Sequence, residues 1–232
     1  LAFNGIEPVG HPSVPEPYRS IGPIDGSFAP LSDVPTFHDS ISKGNKTGWL
    51  YTRNKTDFLE YTDENNRDLM PDEMHAQWAA KRIKEMETND SDQPFFMGIG
   101  FVRPHTPLYA PKRFFDMFPI EKIELSEIKE GDADDTHYKD IYPAKNKGPR
   151  FYRTLKESYG GEAELGLKHF LQAYLACIAF VDEQIGTVVD AVNNSEFKDN
   201  TIIVLVSDHG WQMGEKEYLF KNSPWEESTR IP

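Results

Sequence analysis

Cysteine is almost missing from this chain: Cys177 is the single thiol among 232 residues, which excludes an internal disulfide and a zinc cluster built on thiolates. It lies inside a helical apolar pattern, Tyr174 to Phe180, and reads as a small buried packing residue rather than a nucleophile. Basic residues are also few, 25 Lys and Arg against 38 Asp and Glu, for a formal charge of −13 at pH 7. A nucleic-acid binder carries a basic patch or stripe, so nucleic acid is not expected as a partner. An anionic substrate would be repelled by the overall field and needs local Lys, Arg or metal charge. No run is long and apolar enough for a membrane span, and Leu1 opens no signal-peptide pattern. A chain that starts without Met fits processing or truncation. Four N-x-S/T sequons, at Asn45, Asn54, Asn89 and Asn193, permit glycosylation without requiring it.

What is present divides unevenly. Residues 1–70 are rich in Pro, Gly, Asn, Asp and Ser with no sustained period of 2 or 3.6, and read as a loop-rich region packed on the rest. At Pro71 the character changes: Pro71-Asp72-Glu73 starts a helix, and Lys81, Arg82 and Lys84 close it as the helix dipole prefers, so the pattern predicts a helix over 71–88. The run from Pro94 to Phe101 reads as a buried strand and empties into Val102-Arg103-Pro104-His105-Thr106-Pro107, a rigid loop with one histidine between prolines. Residues 121–161 read as a solvated excursion. From Glu164 apolar residues recur at spacings of three and four through Val192, predicting a long helix stopped at Asn193-Asn194.

That helix feeds the most informative stretch, Thr201-Ile-Ile-Val-Leu-Val-Ser-Asp208-His209-Gly210-Trp211. Six β-prone residues without alternation read as a strand covered on both faces, as in parallel sheets. In α/β sheets ligands bind beyond the carboxyl ends of the strands, where Asp208 and His209 fall. A carboxylate and an imidazole delivered together suit a metal ion, and Gly210 permits a sharp turn or close approach. The plainer alternative is a strand ending in a polar turn that Asp208 caps. The order of elements predicts an α/β fold with a mostly parallel central sheet flanked by helices. Only two core strands are evident, and neither satisfies its backbone alone, so the sheet is expected to be incomplete in this chain.

The two strand-end loops offer Arg103 and His105 from one side and Asp208 and His209 from the other, with Lys221 downstream. A divalent cation flanked by lysine and histidine suits a tetrahedral oxyanion whose leaving oxygen must be protonated, which points to ester hydrolysis at sulfur or phosphorus. Taken alone, His105 equally fits an imidazole bonded within a proline turn, and Lys221 a solvated surface lysine.

The segments PFFMGIGFVRPHTPLYAPKRFFDMFP, AYLACIAFVDEQIGTVVDAV and TIIVLVSDHGWQMGEKEYLFKNSPWEESTRIP, in this order, resemble the type I sulfatases of the alkaline-phosphatase superfamily, in the iduronate-2-sulfatase-like branch. The resemblance runs from about residue 70 to 232 and implies that 71–232 form the central part of a sulfatase catalytic α/β domain, alkaline-phosphatase-like in fold. It implies that Asp208 and His209 are ligands of one Ca2+, His209 taking a place that many sulfatases give to asparagine. Lys221, thirteen residues after Asp208, matches the lysine that grips a sulfate oxygen. His105 matches the histidine beside the scissile ester, and Arg103 is a candidate contact to an acidic sugar. Asp182 matches a recurrent family position read as structural. A sulfated sugar or polysaccharide is the implied substrate, and a periplasmic, secreted or lysosomal setting follows from the family.

One departure matters as much. These enzymes attack sulfur with a formylglycine hydrate made from a Cys-x-Pro-Ser-Arg-like motif, preceded by an Asp-Asp pair that completes the calcium site, and no such arrangement occurs here. Cys177, followed by Ile-Ala-Phe, cannot substitute. The expected partner is therefore the missing N-terminal part of the same domain, and the chain alone is expected not to turn over a sulfate ester. Two other readings stay in view. A phosphatase or phosphodiesterase of the superfamily would bring two zinc ions and a further Asp-x-x-x-His pair, absent here, and a non-catalytic relative would bind sulfated glycans without a nucleophile.

Overall fold

The structure, a computed structural model, describes residues 28–33, 37–39, 46–50, 58–88, 93–129, 131–134, 137 and 146–232. In chain order the elements are strands β1 (Phe28–Pro30), β2 (Phe37–Asp39), β3 (Lys46–Leu50), β4 (Phe58–Asp63) and β5 (Asn66–Arg67), helix α1 (Pro71–Glu87), strand β6 (Leu108–Ala110), then helices α2 (Lys112–Phe115), α3 (Lys147–Ser158), α4 (Ala163–Asn193) and α5 (Glu226–Thr229). β1 and β6 pair in parallel, Phe28 opposite Leu108, while β2-β3-β4-β5 form an antiparallel sheet in that order. The sheet lies within a region whose sequence shows no period, because its strands are two to six residues long and cannot display one.

α1 starts where its chemistry dictates. Pro71 fits the first turn, where its missing N–H costs nothing, and Glu73 accepts the backbone N–H of Met70 at 2.6 Å while Arg67 grips the same carboxylate. Asp72, Ala76, Ala79 and Ile83 form its buried stripe, and the helix packs on α4. α4 is apolar on two faces. Leu167, Phe170, Ala173, Ala176, Cys177 and Phe180 enter the core, where Phe180 meets Phe114 edge-on. Tyr174, Ile178, Val181, Ile185, Val188 and Val189 look out on an open groove instead. An α-helix with two apolar faces is made to be covered on both.

Two expectations change. Residues 147–158, expected to be solvated, form α3, whose Phe151 and Leu155 are buried at one-turn spacing. The runs 94–101 and 201–206, expected to be buried strands, enter no ladder, and Phe96 is 98 % and Ile202 90 % exposed. Among the described residues neither the backbone of 94–99 nor that of 202–206 finds a hydrogen-bond partner in another segment. Their composition is that of central strands, but β structure requires a neighbour, and these residues supply none. Of the sequons, Asn45, Asn54 and Asn89 lie outside the described residues, and Asn193 is exposed at the end of α4. No helix among the described residues is long and apolar enough to cross a membrane.

Candidate active site

The two unpaired runs form facing parts of one groove of about 1860 Å³, lined continuously by 93–105 and 200–211 and floored by the outer face of α4. Arg103, His105, Asp208 and His209 all reach this groove. The first loop is built from buried polar bonds. Asp72, 1 % exposed, accepts the N–H of Val102 at 2.6 Å and of Arg103 at 3.1 Å. Arg103, 7 % exposed, donates from Nε to the carbonyl of Tyr109 at 3.0 Å and from Nη1 to that of His105 at 3.1 Å. The guanidinium expected to reach a sugar is thus engaged with its own loop. His105 closes the turn through its N–H to the carbonyl of Val102, and its exposed ring is bonded through Nδ1 to the Thr106 carbonyl at 2.5 Å. A carbonyl only accepts, so Nδ1 carries the proton and Nε2 is the basic nitrogen of the neutral ring.

Below the loop, Cys177 is fully buried and points its thiol at the Tyr109 carbonyl, 3.7 Å away; burial pushes the thiol pKa up to about 12. It packs and does no nucleophilic chemistry, since the thiolate is the reactive form.

On the other side, Asp208 is largely exposed and lies 3.5 Å from His209 Nε2 through Oδ2. His209 Nδ1 bonds the Gly210 carbonyl at 2.8 Å, which puts the proton on Nδ1 and the lone pair of Nε2 on the Asp208 side. Two donors at this spacing fit adjacent positions on one cation, since ligands at about 2.4 Å and a right angle stand about 3.4 Å apart. The carboxylate suits a hard ion and the imidazole is a softer companion. No group of three or more His, Cys, Asp or Glu that could hold a metal ion gathers among the described residues. Gly210 serves the fold rather than a ligand: a Cβ there would lie 2.1 Å from the Glu227 carbonyl oxygen, beside the helix α5 that its N–H reaches through Ser228.

Lys221 does not line the groove. It follows a turn in which Gln212 donates to the Phe220 carbonyl and Gly214 to that of Tyr218, a register that sets Lys221 opposite Trp211, two residues beyond His209. Trp211 anchors this corner, edge-on to Phe220 and stacked on Phe170. The turn holds Lys216 and Glu217 at φ 60° and 54°, and Lys216 is bonded across to Asp132 at 2.7 Å. Left-handed backbone at two non-glycine residues is costly and persists only where surroundings hold it. Asp72 and Trp211, which hold the two loops, escaped the sequence reading: an acid in a first turn and an aromatic after a glycine have commoner explanations.

An acid-imidazole pair at the end of one run and a histidine loop at the end of the other thus line one groove. A family model, Sulfatase, matches residues 18–232, and the chain belongs to the sulfatase family. A sulfatase of Formosa agariphila is 36% identical over 208 residues, 88% of this chain and 38% of that protein. Human iduronate 2-sulfatase is 26% identical over 236 residues, 97% of this chain and 40% of that protein. The solved phosphonate monoester hydrolase of Agrobacterium radiobacter is 25% identical, with a TM-score of 0.48 over 68% of this chain and 32% of that one. The chain therefore spans about two fifths of the length of the curated relatives.

Proposed function

We propose that this chain is one part of a sulfatase active site, in an enzyme that hydrolyses a sulfate ester of a sugar or polysaccharide. The observation that carries the proposal is the single groove lined by His105, Asp208 and His209 in a member of the sulfatase family. In the reaction the S–O bond to the sugar breaks, and the leaving oxygen takes a proton from Nε2 of protonated His105. Lys221, which does not line the groove in this chain, is by family resemblance the ammonium that would pair with a sulfate oxygen, offsetting charge that repulsion from the acidic protein would otherwise make costly. Asp208 and His209 would hold the cation, Ca2+ by family resemblance, which would supply Lewis-acid charge beside the ester. The nucleophile, formylglycine by the same resemblance, comes from polypeptide outside these 232 residues, together with the remaining ligands. Apolar walls without ladder partners, between two runs of strand composition and over the second apolar face of α4, fit an inserted strand from that segment. The name of the iduronate relative supports a carbohydrate substrate.

The test is sulfate release by the full-length protein, matured to formylglycine and supplied with calcium. Lys221→Ala is expected to lower kcat by about 10²–10³-fold, and the 232-residue chain alone to release nothing. Turnover at the wild-type level in Lys221→Ala would remove the role given to that lysine. Activity of the chain alone would refute the division of the site between two parts.

A further inference from the structure

We infer that Asp72 and Arg103 form a buried frame whose task is to orient His105, so that both are positioning residues for proton delivery to the leaving sugar oxygen; this rests on the function proposed above. A buried carboxylate and a buried guanidinium are expensive to remove from water unless their hydrogen-bonding capacity is used. Here it is used on one object. Asp72 takes the consecutive N–H groups of Val102 and Arg103, one on each oxygen, and ties the start of the loop to the first turn of α1. Arg103 spans the loop from inside, with one nitrogen on the carbonyl of His105 and another on that of Tyr109 in β6. The N–H of His105 then returns to the Val102 carbonyl. The N–H and the carbonyl of His105 thereby both lead to the frame of Asp72 and Arg103, while its imidazole is exposed at the groove. Hydrophobic residues would stabilise such a loop at less cost, and what charged, directional bonds add is a fixed backbone orientation. The Thr106 carbonyl completes the arrangement by holding the ring tautomer that keeps the proton on Nδ1.

The expected signature is dependence on the leaving group. General-acid help matters for a sugar alkoxide and little for an activated phenolate. In the full-length matured enzyme, Asp72→Asn and Arg103→Ala should lower kcat on a sulfated sugar by about 10–100-fold and on an activated aryl sulfate by much less, with KM nearly constant. In a His105→Ala background neither should add a further loss on the sugar ester, because residues acting through one group are not additive. Equal losses on both esters, additive losses in that background, or no loss would overturn the inference. Arg103→Lys, which keeps one donor, carries the same comparison if Arg103→Ala does not fold. A second readout needs no turnover: with isotope-labelled histidine, the ring-nitrogen resonances of His105 should move toward a tautomer mixture in both frame variants and stay put if the frame is only structural. Should His105→Ala itself lose equally on both esters, the proton-donor role fails, and the resonance shift still decides the frame.

Discussion

The two sides of the groove differ in how much of their geometry this chain provides. The loop 102–110 is locked at each step, by Asp72 below, Arg103 within, β1 alongside and Cys177 beneath. The run 202–206 carries the strongest strand signal in the sequence, yet stands exposed without a ladder. One side is preorganised by local polar bonds, which a short segment can complete within itself. The other depends on a sheet, whose order is a property of neighbours. The backbone geometry of a histidine is therefore encoded here, whereas the acid-imidazole pair ends a run that has no ladder partner among the described residues.

The contrast can be broken most forcefully from the locked side. Leu108→Ala empties a fully buried position beside the loop and should cost ~2–5 kcal/mol by denaturant titration, in the isolated chain and in the full-length protein alike. Gly210→Ala, whose methyl group would meet the Glu227 carbonyl, should cost ~1–3 kcal/mol by the same titration, and a neutral result would show that α5 is free to move away. Val204→Asp should change the stability of the isolated chain by no more than ~0.5 kcal/mol, since that side chain is exposed, and should strongly destabilise the full-length protein if a strand covers it. Hydrogen exchange of the chain should be slow at Val102, Arg103 and His105 and fast at 202–206; protection of the latter would mean that the wall is already paired. The smallest effect concerns Cys177. Its folded pKa is raised from 9.0 to about 12, so the thiol's contribution to stability is whole below about pH 9 and is lost as pH rises toward 12. Cys177→Ala should flatten the fall of stability over that window, while slope remains from Tyr61 and Tyr159, which burial raises to about 12, and from Tyr152 and Tyr174, which burial also pushes up.

Legibility in the sequence follows the same divide. α1 and α4 are long and periodic, and the histidine loop and the Asp208-His209 pair announce themselves through proline flanks and an abrupt end of apolar sequence. The face of α4 that turns to the core was less legible: the buried stripe runs through Ala173, Ala176 and Cys177, whereas the bulky Ile178 and Val188 that dominate the periodicity line the groove. α3 was hidden by charged neighbours around Phe151 and Leu155. The role of Arg103 was beyond reach, because its meaning depends on Asp72, thirty-one residues earlier, and on a carbonyl in β6.

The central claim is that Asp208 and His209 share one cation across a groove from His105. A crystal structure of the full-length protein with Ca2+ and a bound sulfate tests it directly. The account predicts one ion within about 2.3–2.6 Å of both an Asp208 oxygen and His209 Nε2, with the sulfate between that ion and the His105 ring. An ion held elsewhere, with Asp208 still facing solvent, would contradict it.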